Sequence, residues 1–228
     1  MRKESLKQYI RDNKRMVLMV AVTFVLITIT GILYADSYIV ICPLYISLII
    51  MLLQTQANRY TYLLGAVNAL FYGGVYLYLG LYAMAAYSML VSSSLQIVTF
   101  VNWSKKPYGN STMFKKLGLK KTAFLLAGFV AAWVIMYLVF SIFDSSYLVL
   151  DNTVTLLGIL STIICALSYI EYAYLNLISL VVSSVLYLQM MQTNPGQITY
   201  FIFNIYSFTC NVLALIKIRK LYAQQNNP

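Results

Sequence analysis

Long apolar segments, each close to twenty residues, follow one another along almost the whole chain and are separated by short polar turns. A helix that spans a bilayer needs about 20 mostly apolar residues. Hydrophobic residues make up 61% of the 228 positions and charged residues only 10%, whereas a water-soluble domain carries roughly a quarter charged residues. The pattern therefore predicts an all-α integral membrane protein.

Eight segments fit this template, and each is predicted to be a transmembrane helix. They are residues 16–34, 38–53, 60–79, 82–103, 122–143, 148–168, 172–191 and 198–218. The turns between them contain Asp, Ser, Gly, Asn and Pro, which punctuate helices. The first segment is too long for a secretory signal and has no convincing small-residue cleavage site, so we expect it to be a transmembrane helix.

The sixteen Lys and Arg residues predict the orientation of these spans. Six precede the first span, six lie in the loop 104–121, three follow the last span, and the remaining one is Arg59. With eight spans and a cytoplasmic N-terminus, all sixteen fall on the cytoplasmic side, while the outer turns carry only Asp36, Asp144 and Asp151. Basic loops stay cytoplasmic, so both termini and the basic loop are expected inside. Clustering beside apolar segments favours a role in topology and lipid contact over nucleic-acid binding.

The basic loop divides the eight spans into two groups of four. Without the first span, the order becomes three spans, one span and three spans. Two three-span units keep the same orientation only if a single crossing helix joins them, and the similarity of residues 59–63 (RYTYL) to 171–175 (EYAYL) supports a repeat. The predicted organisation is a basic tail with an extra helix (1–36), a first three-helix repeat (37–103), the basic loop with a linking helix (104–146), a second three-helix repeat (147–220) and a cytoplasmic tail (221–228).

Polar side chains within the predicted spans recur at spacings that place them on one helix face. The four sets are Gly65, Asn68 and Tyr72; Gln96, Thr99 and Trp103; Asn176, Ser179 and Ser183; and Asn204, Ser207 and Asn211. Small and polar residues also mediate helix packing, and this alternative stays open for the Ser and Thr positions. The carboxamides favour a binding path, because each offers a donor and an acceptor to a neutral ligand with amide or hydroxyl groups. Tyr72, Tyr76, Tyr187 and Tyr206 lie deep enough to stack on a planar ligand.

Groups that support catalysis are missing from the predicted membrane interior. The chain has no His, and no Asp, Glu, Lys or Arg lies near the middle of a predicted span. Cys42, Cys165 and Cys210 are widely spaced within apolar runs and lack metal or redox spacing. There is no phosphate-binding loop and no nucleophile–base pair. We therefore expect no enzymatic activity, no catalytic residue, no bound metal and no cofactor.

The stretch from Gln54 to Trp103 resembles the first repeat of the PnuC-type vitamin transporters, the nicotinamide riboside transporter-like family. The shared features are Asn58, Gly65 with Asn68, the turn Gly80-Leu81-Tyr82, and a helix that ends in Trp103 before a basic loop. The second unit is similar, with Asp151 ahead of its first helix and Glu171 followed by aromatic residues, and the resemblance covers roughly residues 38–220. The family's Trp-rich endings are replaced here by Phe100-Val101-Asn102-Trp103 and Glu171-Tyr172-Ala173-Tyr174.

This resemblance implies a SWEET-like fold, with the extra N-terminal helix preceding a 3+1+3 core of two parallel repeats, in a bacterial cytoplasmic membrane. It also implies facilitated uptake of an unphosphorylated vitamin or nucleoside, typically nicotinamide riboside, that a cytosolic kinase traps by phosphorylation. Thiamine, riboflavin and deoxynucleosides are alternative substrates, and a sugar carrier or a non-transporting scaffold are alternative functions. Homo-oligomerisation stays open. The predicted substrate-binding residues are Asn68, Tyr72, Gln96, Trp103, Glu171, Tyr172, Asn176, Ser179, Asn204, Ser207 and Asn211.

Overall fold

The structure, a computed structural model, describes residues 14–34, 38–78, 87–143 and 147–226. Within these ranges the chain forms eight α-helices: α1 Lys14–Leu33, α2 Tyr38–Thr55, α3 Tyr60–Tyr78, α4 Ser93–Lys105, α5 Leu119–Phe140, α6 Leu148–Ala166, α7 Tyr172–Met190 and α8 Ile198–Asn226. The π-helix Tyr87–Ser92 leads directly into α4, and the 3-10 turns Ser141–Phe143 and Pro195–Gln197 follow α5 and precede α8. The predicted all-helical architecture is confirmed.

Five of the described helices are long and apolar enough to cross a membrane. They correspond to Lys14–Leu33, Leu119–Val139, Leu148–Ala166, Tyr172–Met190 and Pro195–Asn226. The apolar helix Ile41–Thr55 is shorter, and the predicted fourth span begins in residues 79–86, outside the described ranges. The predicted turns at 35–37, Gly80 and 144–146 also lie outside the described residues. A multi-pass membrane protein follows, because helices satisfy their own backbone hydrogen bonds in hydrocarbon.

The order of helix contacts divides α2–α4 from α6–α8. Within each group, neighbouring helices along the chain pack on each other, and the groups meet where α4 packs on α6 and where α8 packs on α2. Helix α5 packs mainly on α6, while α1 packs on both α2 and α8. The described helices therefore close into a ring of six, with α1 and α5 on its outside.

Helix α1 is anchored to this ring by apolar packing and by polar contacts, one of which joins Thr28 Oγ1 and Tyr45 OH at 2.8 Å. Ile27 is fully buried and belongs to a core cluster with Leu44, Leu48 and Tyr206. Thr199 Oγ1 donates to Thr30 Oγ1 over 3.0 Å. The extra N-terminal helix is thus an integral part of the packed structure.

The turns after α2 and after α6 have the same backbone geometry. Ala57 and Ser168, each two residues beyond the helix end, adopt the left-handed region with φ of 50° and 64°. Asn58 N donates to Leu53 O, and Tyr169 N donates to Ile164 O, each bond reaching back five residues. This is the Schellman pattern that satisfies the last helical carbonyls. The sequence similarity of the two stretches after these turns is therefore matched by their backbone.

The basic loop, residues 104–121, lies across one end of the ring. This end is called the lower end here. Pro107–Tyr108 and Ser111–Thr112 form a two-strand antiparallel hairpin. Asn110 O accepts a hydrogen bond from Arg59 N, and Lys115 O accepts one from Ile170 N. The loop therefore contacts the turn of each helix group.

Two helix boundaries differ from the sequence prediction at the lower end. Helix α5 begins at Leu119, which makes Lys120 and Lys121 helical. Helix α8 runs for 29 residues to Asn226, so most of the predicted tail 221–228 continues the helix. At 1.5 Å per residue α8 is about 43 Å long and reaches beyond the roughly 30 Å hydrocarbon core.

Candidate functional site

Two adjoining cavities lie within the ring. The upper cavity, of about 330 Å³, is lined by Ser47, Ile50, Met51, Gly65, Asn68, Ala69, Tyr72, Ser88, Ser92 and Gln96. The lower cavity, of about 130 Å³, is lined by Ile50, Met51, Gln54, Thr61, Tyr62, Gln96, Ser161, Thr162, Cys165, Tyr172 and Asn176. Ile50, Met51 and Gln96 belong to both linings, so the two cavities adjoin, and together they are called the path here.

Asn68 supplies an acceptor to the upper cavity. Its Nδ2 donates to Ser47 Oγ over 2.8 Å and to Pro43 O over 3.3 Å, which ties α3 to α2. Its Oδ1 is buried and has no hydrogen-bond partner among the described residues. An unsatisfied buried polar atom is costly, so this oxygen is well placed to accept a bond from a ligand.

Gln96 stands between the cavities because α3 has a glycine opposite it. A Cβ atom on Gly65 would lie 2.6 Å from Gln96 Oε1 and 2.9 Å from its Nε2. A Cβ this close would displace the carboxamide, which is the far end of a flexible side chain, so glycine allows Gln96 to keep its present position. No hydrogen bond from the Gln96 side chain to another described residue is present, and its donor and acceptor are both available to a ligand.

The π-helix ahead of α4 shapes the upper cavity. Ser88 Oγ donates to Ala69 O over 2.7 Å, which holds the π-helix against α3. Ser93 Oγ also bonds to Met89 O, one turn earlier. Single π-helical turns are frequent at functional sites because they re-aim side chains, and here Ser88 and Ser92 both face the cavity.

Carboxamides and a serine link four helices beside the lower cavity. Asn211 Oδ1 accepts from Gln54 Nε2 over 3.0 Å and lies 3.4 Å from Asn176 Nδ2. Ser161 Oγ lies 2.5 Å from Asn176 Oδ1 and 3.0 Å from Tyr172 O. This network connects α2, α6, α7 and α8 across the contact between the two helix groups.

An aromatic floor, formed by Tyr62, Trp103, Phe114 and Tyr172, closes the lower cavity. The Trp103 ring meets the other three edge-on, with centroid distances of 4.8 Å to Tyr62, 5.4 Å to Phe114 and 6.2 Å to Tyr172. Trp103 Nε1 donates to Cys165 O over 2.8 Å, and Tyr62 OH lies 2.9 Å from Cys165 Sγ. Trp103 and Tyr172 are almost completely buried, so the path is shut at its lower end.

The basic loop holds this floor from below. Phe114 is buried against Trp103, and its backbone N donates to Gln225 Oε1 over 2.8 Å. Gln225 Nε2 donates to Thr112 O over 2.9 Å. The Gln225 side chain on α8 therefore bonds the loop backbone on both sides of Met113 and holds Phe114 in place.

The structure brings some of the predicted site residues together and places others elsewhere. Asn68, Tyr72, Gln96, Tyr172 and Asn176 line the two cavities, while Trp103 lies beneath them in the floor and Asn211 lies behind Asn176 and Gln54. Asn204 and Ser207 lie on the buried face of α8, and Asn204 Nδ2 donates to Ser184 Oγ and Leu180 O on α7. Glu171 borders a separate apolar groove. Ser179, on α7, lines neither cavity.

Sequence reasoning missed several lining residues. Gln54 was expected in a loop, but it lies in the last turn of α2 and is buried. Ser47 is a single serine in an apolar helix, and Ser161 adjoins only Thr162. Ser88 and Ser92 precede Gln96 at intervals of four residues, a spacing that could have marked them. Tyr62 was considered only as part of the repeat RYTYL. Its position near the start of the middle helix of the first predicted repeat could have marked it as a lining residue. In the described ranges, no three His, Cys, Asp or Glu side chains are close enough to hold a metal ion.

Comparison with known proteins identifies the family. The sequence profile described as nicotinamide mononucleotide transporter matches residues 37–217. A solved structure, the crystal structure of the vitamin B3 transporter PnuC, superposes with a TM-score of 0.74 at 16% sequence identity, covering 92% of this chain and 91% of that one. A search of curated proteins gave no match. The fold and the profile agree with the resemblance noted in the sequence, and the chain belongs to the nicotinamide mononucleotide transporter family, a family of PnuC-type transporters rather than enzymes.

Proposed function

We propose that this protein mediates facilitated uptake of an unphosphorylated vitamin or nucleoside with a planar ring and an amide, with nicotinamide riboside as the substrate that fits best. The observation that carries the proposal is that Gln96 and the unpartnered Asn68 Oδ1 belong to the same cavity, whose described lining residues carry no charge. A nicotinamide carboxamide offers one donor edge and one acceptor edge. It can donate to Asn68 Oδ1 and bond reciprocally with the Gln96 carboxamide.

The aromatic and hydroxyl groups around these carboxamides suit the rest of such a molecule. Tyr72 lines the upper cavity, and a tyrosine ring attracts a cationic pyridinium ring placed over its face. Ser92 offers a hydroxyl to a ribose, and the oxygens of Ser47 and Ser88, whose protons are donated to Pro43 O and Ala69 O, can accept from one. A cavity of about 330 Å³ falls within the roughly 300–1,000 Å³ usual for small-molecule sites.

The same lining argues against a phosphorylated substrate. Among the described residues that line the two cavities, none is Lys, Arg, Asp or Glu. A phosphate carries close to two negative charges at neutral pH and takes charged or multiple N–H partners. A nicotinamide mononucleotide would lack such a partner here, so trapping by a cytosolic kinase is consistent with this lining.

We further propose that transport proceeds by rocking of two three-helix repeats, α2–α4 and α6–α8, in a 3+1+3 arrangement. The support is the equivalence of the packing contacts: α4 on α6 corresponds to α8 on α2, and the turns at Ala57 and Ser168 have the same geometry. In this state the path is closed below by the aromatic floor. Opening requires the floor to separate while the upper cavity closes.

Uptake into proteoliposomes tests the proposal. The purified full chain is reconstituted around an encapsulated nicotinamide riboside kinase and ATP, and labelled nicotinamide riboside, nicotinamide mononucleotide, thiamine, riboflavin, deoxynucleosides and a hexose are compared. We expect nicotinamide riboside to accumulate above protein-free vesicles and the mononucleotide to remain at background. Without the kinase, nicotinamide riboside is expected only to equilibrate.

Three results would overturn parts of this proposal. Accumulation of the mononucleotide at the same rate would show that the uncharged lining does not select against phosphate. Failure of every compound to exceed protein-free vesicles would remove the carrier function and favour a scaffold. Accumulation of nicotinamide riboside without the kinase would contradict facilitated diffusion.

A further inference from the structure

A third concave surface lies outside the transport path. This groove, of about 400 Å³, is bounded by α5, α6 and α7 and is lined by Leu117, Thr122, Leu125, Leu126, Phe129, Leu157, Leu160, Ile164, Glu171, Tyr174, Leu175 and Ile178. Nine of these twelve side chains are aliphatic or phenyl groups. The groove forms because α5 packs mainly on α6 and stands away from α7.

The groove faces outward from the ring and spans about two-thirds of the thickness of one hydrocarbon leaflet. Leu126 and Ile178 line it and are 63% and 51% exposed. From Thr122 to Phe129 on α5, and from Glu171 to Ile178 on α7, it runs about 10 Å along each helix at 1.5 Å per residue. That is about a third of a roughly 30 Å hydrocarbon core. In a membrane, hydrocarbon fills this apolar space, because a void would forfeit its dispersion contacts.

One polar atom at the lower end of the groove lacks a partner. Glu171 Oε1 accepts from the backbone N of Leu117 over 3.1 Å. Glu171 Oε2 is buried and has no hydrogen-bond partner among the described residues. A buried carboxyl oxygen without a donor is costly, so an occupant that carries a hydroxyl donor at this depth would be stabilised.

Positive charge surrounds the same end. The Lys115 and Lys121 ammonium groups lie 5.8 Å and 5.5 Å from the centroid of the Tyr169 ring, and Lys121 Nζ donates to Tyr169 OH over 2.9 Å. Lys116 and Lys120 are exposed on either side. Helix α5 starts here with no side-chain cap on its first N–H groups, which adds partial positive charge.

We infer that this groove is a specific site for an anionic phospholipid whose headgroup carries hydroxyl groups, of the phosphatidylglycerol class. One acyl chain lies in the groove between α5 and α7. The phosphodiester meets the Lys115 and Lys121 ammonium groups beside Tyr169, and a headgroup hydroxyl donates to Glu171 Oε2. The bound lipid ties α5 to α7, two helices that otherwise touch through α6.

Native mass spectrometry of the delipidated full chain in detergent tests this inference. We expect one phosphatidylglycerol to bind at least tenfold more tightly than phosphatidylcholine, and deacylated glycerophosphoglycerol not to compete. Leu126→Trp fills the groove and is expected to weaken binding at least tenfold. Leu138→Trp is the matched control, since Leu138 is 61% exposed on the same helix and lies outside the groove.

A second pair of variants tests the headgroup contacts. Basic residues near a membrane surface contribute about fivefold each to the binding of anionic lipid, so Lys115→Gln with Lys121→Gln is expected to weaken phosphatidylglycerol binding by about thirtyfold. Lys217→Gln with Lys220→Gln removes the same charge from α8 and is expected to leave binding unchanged.

The result does not depend on transport activity. Unchanged helical circular dichroism and a single size-exclusion peak establish that each variant is folded. If Leu126→Trp fails this check, Ile178→Trp takes its place with Val181→Trp, at 53% exposure, as its control. Equal binding of phosphatidylglycerol and phosphatidylcholine, or equal binding by groove and control variants, would overturn the inference.

Discussion

The upper cavity and the aromatic floor are built in part from the same two helices, α3 and α4, yet their polar atoms differ in how fully they are hydrogen-bonded. In the cavity, Asn68 Oδ1 and the Gln96 carboxamide retain hydrogen-bonding capacity. In the floor, Trp103 is fully buried, its Nε1 is bonded, and three aromatic rings surround it. The comparison indicates that the cavity can bind a ligand and that the floor closes the path. Substitutions in the cavity should therefore lower transport, and substitutions in the floor should lower stability.

The largest expected effect comes from Gly65→Ala. The new Cβ would occupy the space of the Gln96 carboxamide and push it from its position between the cavities. Loss of one or two hydrogen bonds to the ligand, at about 1–3 kcal/mol for a buried group left unsatisfied, predicts a fall in uptake of tenfold to a hundredfold. Initial rates in proteoliposomes measure it.

Gly74→Ala is the matched control for this variant. Gly74 lies on the same helix, and a Cβ there meets nothing within 4 Å. Both substitutions favour the helix by up to about 1 kcal/mol, so stability should not fall in either. Equal uptake by the two variants would show that Gln96 is not held in place by Gly65.

An intermediate effect is expected for Trp103→Phe in the floor. The change removes the hydrogen bond to Cys165 O and leaves a small void, at a combined cost of about 1–2 kcal/mol. The free energy of unfolding, followed by far-UV circular dichroism in mixed micelles, should fall by this amount.

Trp133→Phe is the comparison, because Trp133 is the other tryptophan of the chain and is only half-buried on α5. We expect it to cost less than half as much. If Trp133→Phe is as destabilising as Trp103→Phe, the floor is not a special point of closure.

The smallest expected effect is that of Gln225→Ala. It removes two hydrogen bonds to the loop, to Phe114 N and Thr112 O, both near the aqueous surface, where water can replace them at a cost of about 1 kcal/mol or less. Amide hydrogen exchange of residues 112–114 should accelerate severalfold. Among the described residues the Asn226 side chain bonds only Tyr222 O of its own helix, so Asn226→Ala should leave these amides unchanged. Equal protection in both variants would show that Gln225 does not hold the loop.

The apolar segments were sufficient to predict the described helices, since a backbone in hydrocarbon must satisfy its own hydrogen bonds. The ordered hairpin at 107–112 was not predictable in this way, because its stability comes from contacts with Arg59, Ser168 and Gln225 that are distant in sequence. The same reason explains the end of α8, where the predicted tail remains helical.

The candidate site was predictable only as a set of polar positions. Asn68 and Asn204 have the same chemistry and similar apolar surroundings in the sequence, and each bonds a serine and a backbone carbonyl on a neighbouring helix. They differ because Asn68 also faces a cavity, which depends on Gly65 and on the π-helix. Gln54 belongs to the site because it bonds Asn211 in the other helix group, and Ser161 because it bonds residues of α7 in its own group. No local sequence pattern predicts either contact.

Direct binding of nicotinamide riboside to the purified protein, measured by isothermal titration calorimetry, tests the central claim that the Gln96 carboxamide receives the substrate. The variants are Gln96→Leu and, as the matched control, Gln189→Leu, since Gln189 is exposed on α7 outside both cavities. We predict that Gln96→Leu weakens binding at least tenfold, that Gln189→Leu binds like the unmodified protein, and that nicotinamide mononucleotide binds none of them detectably. Equal affinities for both variants would contradict the assignment of the site.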